Sequence, residues 1–282
     1  MTELFTGRAA DNEQPALRFT WPEGKKIGLW HDDHGILKQD MLFTPTNTTR
    51  TVHVKLPSDY ACSDEKYPVM YFYDGHNLFR NEDATYGKSW GLTEFLAAWE
   101  KKIIVVGIEC SHVGNDRLKE YCPYHVNNDF FGNLEGTGDA TVKWIAEELK
   151  PVIDRDFRTW SHREATGIAG SSMGGLMSLY AVVAYNHVFS KAGCLSSAIG
   201  SCMSQLHEDI AGCSINPDTR IYLSWGSREG GSWSEDRHHE LEDHLQYRGA
   251  LTRLYKQPGG RHCEADWEKQ VPLFMDFLWL DR

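Results

Sequence analysis

At 282 residues, with 41% hydrophobic and 24% charged side chains, the chain has the make-up of a folded protein able to bury a sizeable core, which excludes intrinsic disorder. Its longest apolar runs, such as Ile103-Ile104-Val105-Val106, stop far short of the roughly 18 to 20 residues that span a bilayer, so no membrane span is expected. A net charge of -11 argues against nucleic acid as a partner, because phosphate backbones are bound through clustered Lys and Arg.

The first residues, Met1-Thr2-Glu3-Leu4-Phe5-Thr6-Gly7-Arg8, lack a basic stretch followed by an apolar one, so they do not read as a secretory signal and a cytoplasmic location is expected. Seven cysteines without paired spacing suit free thiols in a reducing compartment. Ile27 to Trp30 and Ile36 to Phe43, separated by the polar turn His31-Asp32-Asp33-His34-Gly35, predict an antiparallel hairpin at one edge of the fold, with residues 1–45 an extension rather than a separate domain. The His and Asp residues of that turn are of metal-binding type, but no second cluster supplies further ligands, and they read as a solvated turn.

From there strand and helix alternate. Strands are predicted at Thr51 to Leu56, Tyr67 to Tyr73, Ile103 to Ile108, Ala165 to Ala169, Lys191 to Leu195, Arg220 to Ser224 and Leu251 to Tyr255, several of them apolar without alternation and so buried on both faces. Val142, Ile145, Ala146, Leu149 and Ile153 follow helical spacing, as do Trp267, Val271, Phe274 and Leu278. No repeat or linker divides the chain, so one α/β domain over 1–282 is expected, a mostly parallel central sheet flanked by helices.

Chemistry concentrates at the ends of these strands. Gly170-Ser171-Ser172-Met173-Gly174-Gly175 is a G-x-S-x-G sequence between a strand and a helix, the setting in which a sharp turn lifts a serine hydroxyl out of the backbone. Ser172 is therefore the candidate nucleophile; Ser171 is the rival hydroxyl, but Ala169 breaks the glycine frame around it. A serine needs a base, and the chain order expected in this arrangement is Ser, then Asp or Glu, then His. His262, in the turn-rich Gln257-Pro258-Gly259-Gly260-Arg261-His262, is the candidate base, whereas His238, His239 and His244 fall in a charged helical stretch that reads as a solvated face. Glu229 is the first acid after the strand that ends at Trp225; Asp236 is the second choice, and Ser232 with Glu235 has the form of a helix capping box. The backbone N–H groups of Met173 and of His76, just past Gly75, are the expected oxyanion donors, with the His76 imidazole a less favoured base. Asn77, next to His76, is a candidate for substrate contact.

Taken together, Tyr67-Pro68-Val69-Met70-Tyr71, Asp74-Gly75-His76-Asn77-Leu78-Phe79, Ser89-Trp90-Gly91, Gly170 to Gly175, Trp225-Gly226-Ser227-Arg228-Glu229 and Gly260-Arg261-His262 with Trp267 resemble the putative-esterase family of α/β-hydrolases. Its members include esterase D, feruloyl esterases, siderophore trilactone esterases and the mycolyl-transferring antigen 85 proteins. The resemblance runs from about Arg50 to the C-terminus and implies an α/β-hydrolase fold, with nucleophile, acid and histidine at Ser172, Glu229 and His262 and, by the pattern of the family's transferase branch, oxyanion donors at His76 and Met173. The loop Asn115 to Pro123 resembles one that borders the pocket in related sequences, which implies substrate contacts at Arg117, Glu120 and Tyr121. Many members have Gln where His76 stands, which leaves the backbone role intact. The expected activity is hydrolysis of a carboxylic ester of a small molecule or carbohydrate, feruloyl or acetyl in type, without metal or organic cofactor; the alternatives are acyl transfer to an alcohol or sugar and siderophore trilactone hydrolysis. A non-enzymatic binding module on the same fold is disfavoured by the presence of all three residues in order.

Overall fold

A computed structural model describes residues 30–31, 35–129 and 132–280. The described strands are β1 (Trp30–His31), β2 (Ile36–Phe43), β3 (Thr48–Lys55), β4 (Val69–Tyr73), β5 (Ile104–Ile108), β6 (His125–Asn128), β7 (Gly132–Glu135), β8 (Thr166–Ser171), β9 (Lys191–Leu195), β10 (Arg220–Gly226) and β11 (Leu251–Gln257). Nine of them form one sheet in the order β1-β2-β3-β5-β4-β8-β9-β10-β11, while β6 and β7 pair as a separate antiparallel ribbon. The run from β5 through β11 is parallel, and β1, β2 and β3 add antiparallel pairings at one edge.

The edge hairpin is present in the register Trp30 to Lys38 and His31 to Leu37. Residues 27–29 and the side chains of the His31 to His34 turn lie outside the described residues. The predicted strands from Thr51 onward all form, with ends moved by a few residues. The β6–β7 ribbon was not expected, because His125-Val126-Asn127-Asn128 and Gly132-Asn133-Leu134-Glu135 carry neither β-branched enrichment nor a run of apolar residues.

Every residue of β4, β5 and β9 is buried, as the unbroken apolar runs require of strands covered on both faces. Successive side chains of a strand point to opposite faces, and β4 divides accordingly. Val69, Tyr71 and Tyr73 join the core beneath Val142, Ile145, Leu149, Ile153 and the helix Met173–Ala184. Met70 and Phe72 join the other core, with Leu92, Trp267, Val271, Phe274, Leu278 and Trp279. Phe274 is fully buried, its ring centroid 6.3 Å from Phe72, 6.4 Å from Trp90 and 6.0 Å from Tyr222. Phe274→Ala is expected to lower unfolding free energy by about 3–5 kcal/mol, the usual cost of emptying such a site, measured by urea denaturation.

One helix departs from its sequence reading. Gly231–Tyr247 begins after Gly230, which takes φ 66°, so Ser232 lies inside the first turn and is not the cap; Glu235 pairs with Lys256 at 2.6 Å instead. His238 is not on a solvated face. It is buried with Leu241 and Leu245 and stacks on Trp225 at 4.7 Å, its Nδ1 2.7 Å from the Ser234 carbonyl, so an imidazole fills a slot that a search for aliphatic residues passes over. The seven cysteines are all free.

Candidate active site

Parallel strands end at one rim of a sheet, and that rim is where the candidate residues meet. The register sets Ser171 against Leu195 and Gly226 against Gln257, so the segments that follow β8, β9, β10 and β11 emerge side by side. Ser172 follows β8, Ser196 follows β9, Glu229 follows β10 and His262 follows β11; Asp74 to Asn77 follow β4.

Ser172 has φ 57° and ψ -122°, a conformation L-residues seldom adopt, directly before the helix Met173–Ala184. The flanking glycines explain how the turn closes. A Cβ on Gly170 would lie 2.7 Å from the Gly174 backbone, and one on Gly175 would lie 2.5 Å from Ser197 Oγ and 2.9 Å from the Leu195 carbonyl. The Met173 N–H sits in the first turn of that helix, where backbone donors have no intrahelical acceptor.

Glu229 is held by three donors. Its Oε1 accepts from Ser196 Oγ at 2.8 Å and from the Gly226 N–H at 2.9 Å, and its Oε2 lies 2.8 Å from His262 Nδ1. Burial pushes its pKa up, but the hydrogen bonds from His262, Ser196 and Gly226 outweigh that and leave it below the ordinary value of 4.5. A carboxylate can only accept, so His262 Nδ1 carries the proton and donates it, leaving the Nε2 lone pair free. The His262 ring also packs edge-on against Trp267 at 5.1 Å, and Trp267 Nε1 donates to Ser196 Oγ at 2.9 Å, so acid and imidazole share one brace. Asp236, the second-choice acid, lies exposed on the helix Gly231–Tyr247.

Because the folded pKa of Glu229 is depressed, its contribution to stability is complete above the unfolded value and is lost as pH falls through the folded one. The stability gap between wild type and Glu229→Gln is therefore expected to be widest at neutral pH and to close on acidification to about pH 3, measured by urea denaturation across that range.

The loop after β4 is packed hard onto the sheet. Asp74 takes a left-handed conformation with φ 56°, and a Cβ on Gly75 would lie 2.6 Å from the Gly107 carbonyl carbon. Arg117 grips Asp74 in a bidentate pair, Nε to Oδ1 at 2.8 Å and Nη2 to Oδ2 at 2.7 Å, and stacks over the Tyr121 ring at 5.0 Å. The Asp74 N–H donates to Tyr121 Oη at 3.2 Å.

Ser172, His262, His76, Asn77 and Arg117 all line one cavity of about 490 Å³, together with Glu264, Trp267 and His112. Two of the residues expected at its surface stand behind it. Tyr121 is 1% exposed in the core, and Glu120 is buried, pairing with Arg50 and accepting from the Ser111 N–H at 3.0 Å. Their polar groups are consumed in holding the loop, so their placement is that of supports and not of ligand contacts. Ser196 and Trp267 were not foreseen as parts of the acid's support; the signal for Ser196 is its place at the C-terminal end of a parallel strand, where it takes φ 44°. Glu264 was also missed: it lines the cavity, and burial raises its pKa.

The model of the family described as "Putative esterase" matches residues 44–277. An uncharacterized protein, YbbA of Bacillus subtilis, is 27% identical over 199 residues, covering 70% of this chain and 75% of its own length. An endo-1,4-beta-xylanase/feruloyl esterase of Xylanibacter ruminicola is 25% identical over 246 residues, covering 79% of this chain but only 31% of that protein, so the chain spans about a third of it. Among solved structures, an IroE-like serine hydrolase from Shewanella oneidensis superposes with a TM-score of 0.68 at 22% identity, covering 86% of this chain and 80% of that one, which shows a shared α/β-hydrolase fold. No helix among the described residues is long and apolar enough to cross a membrane.

Proposed function

Because the chain belongs to the putative-esterase family and is thereby a carboxylic-ester hydrolase, we propose that it works as a serine esterase through an acyl-enzyme, with Ser172 as nucleophile, His262 as base and Glu229 as the orienting acid. The observation that carries this reading is the meeting, at one cavity, of a serine in a strained strand-to-helix turn and an imidazole whose Nδ1 is fixed by a carboxylate at 2.8 Å.

The steps follow from the donors and acceptors in place. His262 Nε2 takes the Ser172 proton as Oγ attacks the ester carbonyl, and the imidazolium is stabilised by Glu229 through Nδ1–H. The N–H groups of Met173 and His76 receive the developing oxyanion, each such donor being worth about 3–4 kcal/mol in the transition state. His262 then hands its proton to the leaving alkoxide, and the alcohol departs. A water deprotonated by His262 attacks the acyl-enzyme and regenerates Ser172. The cycle uses no metal or organic cofactor.

For substrate, we favour an uncharged acyl ester of a small molecule or carbohydrate, of feruloyl or acetyl type. The Arg117 guanidinium on the cavity wall is already committed to Asp74, and the chain carries a net charge of -11, so a polyanionic ferric catecholate finds little to meet it here. The xylanase-linked feruloyl esterase among the relatives agrees with that preference. The test is a panel of p-nitrophenyl acetate, methyl ferulate and a siderophore trilactone, run with and without a sugar acceptor. Methyl ferulate or the acetate is expected to give the highest kcat/KM, with free acid as product; a dominant trilactone rate, or acyl sugar in place of acid, would overturn the substrate assignment.

A further inference from the structure

The wall of the cavity formed by the ends of β4 and β5 carries a second group of side chains that ester hydrolysis does not use. His76 follows β4, while Glu109 and His112 follow the neighbouring β5. One ligand-type atom from each of the three lies within 4.8 Å of the others, and the rings of His76 and His112 meet edge-on at 4.9 Å.

Three features distinguish this group from a chance cluster. First, His76 is 8% exposed, and its Nδ1 is buried without a hydrogen-bond partner, although its Nε2 is 2.9 Å from Thr85 Oγ1. With Nε2–H donating to Thr85, the Nδ1 lone pair is left facing no donor, a costly state for a buried polar atom. Second, Glu109 is itself oriented: Oε1 is 2.6 Å from His53 Nε2 and Oε2 is 3.0 Å from His112 Nε2. His53 is a partner of the kind that holds a ligating carboxylate in place from behind, while the contact with His112 joins two of the three candidate ligands to each other. Third, His112 is 59% exposed, so an ion can replace its 3.0 Å contact with Glu109 Oε2 and bring the ligand atoms to the roughly 3.4 Å spacing that tetrahedral bonds of about 2.0–2.2 Å impose.

We propose that His76, Glu109 and His112 form a binding site for a divalent transition metal ion of the zinc class, on the wall of the cavity that Ser172 lines. Two imidazoles and one carboxylate are a ligand set zinc takes with a fourth position left open. His76 and His112 both line the cavity, so that position is available to water or to an oxygen of a bound ligand. The site shares only His76 with the esterase reading, which uses that residue's backbone N–H and not its imidazole; neither Ser172, Glu229 nor His262 is a ligand.

The test uses the full chain freed of metal with a chelator that is then removed. Zn²⁺ binding is counted by calorimetry, Co²⁺ binding is followed by visible absorbance, and Tm is read with and without Zn²⁺, for wild type, His112→Ala and His207→Ala. His207, on the helix Met203–Gly212, is a control for the other imidazole pair, with His244. The expected result is that His112→Ala binds one Zn²⁺ fewer per chain than wild type, loses the tetrahedral Co²⁺ band and the Zn²⁺-dependent rise in Tm, and keeps its metal-free Tm, while His207→Ala retains all three. Equal Zn²⁺ counts in wild type and His112→Ala, no Zn²⁺ bound by wild type, or loss of the ion in His207→Ala would overturn the proposal. None of these readouts depends on turnover, so they are independent of whether Ser172 is the nucleophile.

Discussion

Ser172→Ala is expected to reduce kcat for ester hydrolysis by a factor on the order of 10⁶, with Tm within a few degrees of wild type, measured on p-nitrophenyl acetate alongside thermal unfolding. The size follows from the way the three residues depend on each other. Without Oγ there is nothing for His262 to deprotonate, and what remains is the stabilisation from the oxyanion donors and from binding, about 10³–10⁴ over water. His262→Ala is expected to cost nearly as much as Ser172→Ala, and the double variant little more than either, because residues that act as a unit are not additive. The fold is expected to survive. Ser172 is held through its backbone, its N–H donating to the Leu195 carbonyl at 2.9 Å and its carbonyl accepting from Leu176 at 3.1 Å and Ala198 at 3.0 Å, and alanine keeps all three. Alanine is also strained at φ 57°, as serine is, so the substitution does not relieve the turn.

Glu229→Gln is the second large effect, a loss of roughly 10⁴ in kcat with geometry nearly preserved. An amide in place of the carboxylate can present its NH₂ to His262 Nδ1, which favours the tautomer whose Nε2 carries the proton and has no lone pair for Ser172. The same change leaves both donors, Ser196 Oγ and the Gly226 N–H, with a weaker acceptor, since both meet the same oxygen. The measurement is kcat against pH for both proteins, with the variant's residual rate climbing where hydroxide takes over the base's work. A variant within tenfold of wild type would move the acid's role elsewhere, and Asp236, exposed on its helix, is poorly placed to take it.

Much of this arrangement was legible in the sequence because the sheet does the positioning. Strands buried on both faces announce themselves as unbroken runs, such as Val69-Met70-Tyr71-Phe72-Tyr73, and once they are parallel their C-terminal ends share a rim. That is why Ser172, Glu229 and His262, far apart in the chain, could be nominated together and are found around one cavity or hydrogen-bonded to its rim. What could not be read was which polar residues of the loops face the cavity and which turn inward. Arg117, Glu120 and Tyr121 are near neighbours in sequence, yet only Arg117 reaches the cavity, because the short helix Asp116–Glu120 turns Glu120 toward Arg50 and the next residue, Tyr121, lies under Asp74. Ser196 could be placed at the rim from its position after β9, but its role could not be read, since it depends on a contact with Glu229 that the pairing of β9 with β10 creates. The helix Gly231–Tyr247 adds a third case. Its polar composition hid a buried face in which His238 stacks on Trp225.

The central claim is that the hydroxyl of Ser172 forms the covalent bond to the acyl group. A fluorophosphonate reacts with a serine only where a base and an oxyanion site activate it, so labelling followed by peptide mass spectrometry tests the claim directly. The account predicts a single adduct, on the peptide containing Ser172, absent from Ser172→Ala and strongly slowed in His262→Ala. An adduct on any other residue, or ester hydrolysis that continues undiminished in Ser172→Ala, would contradict it.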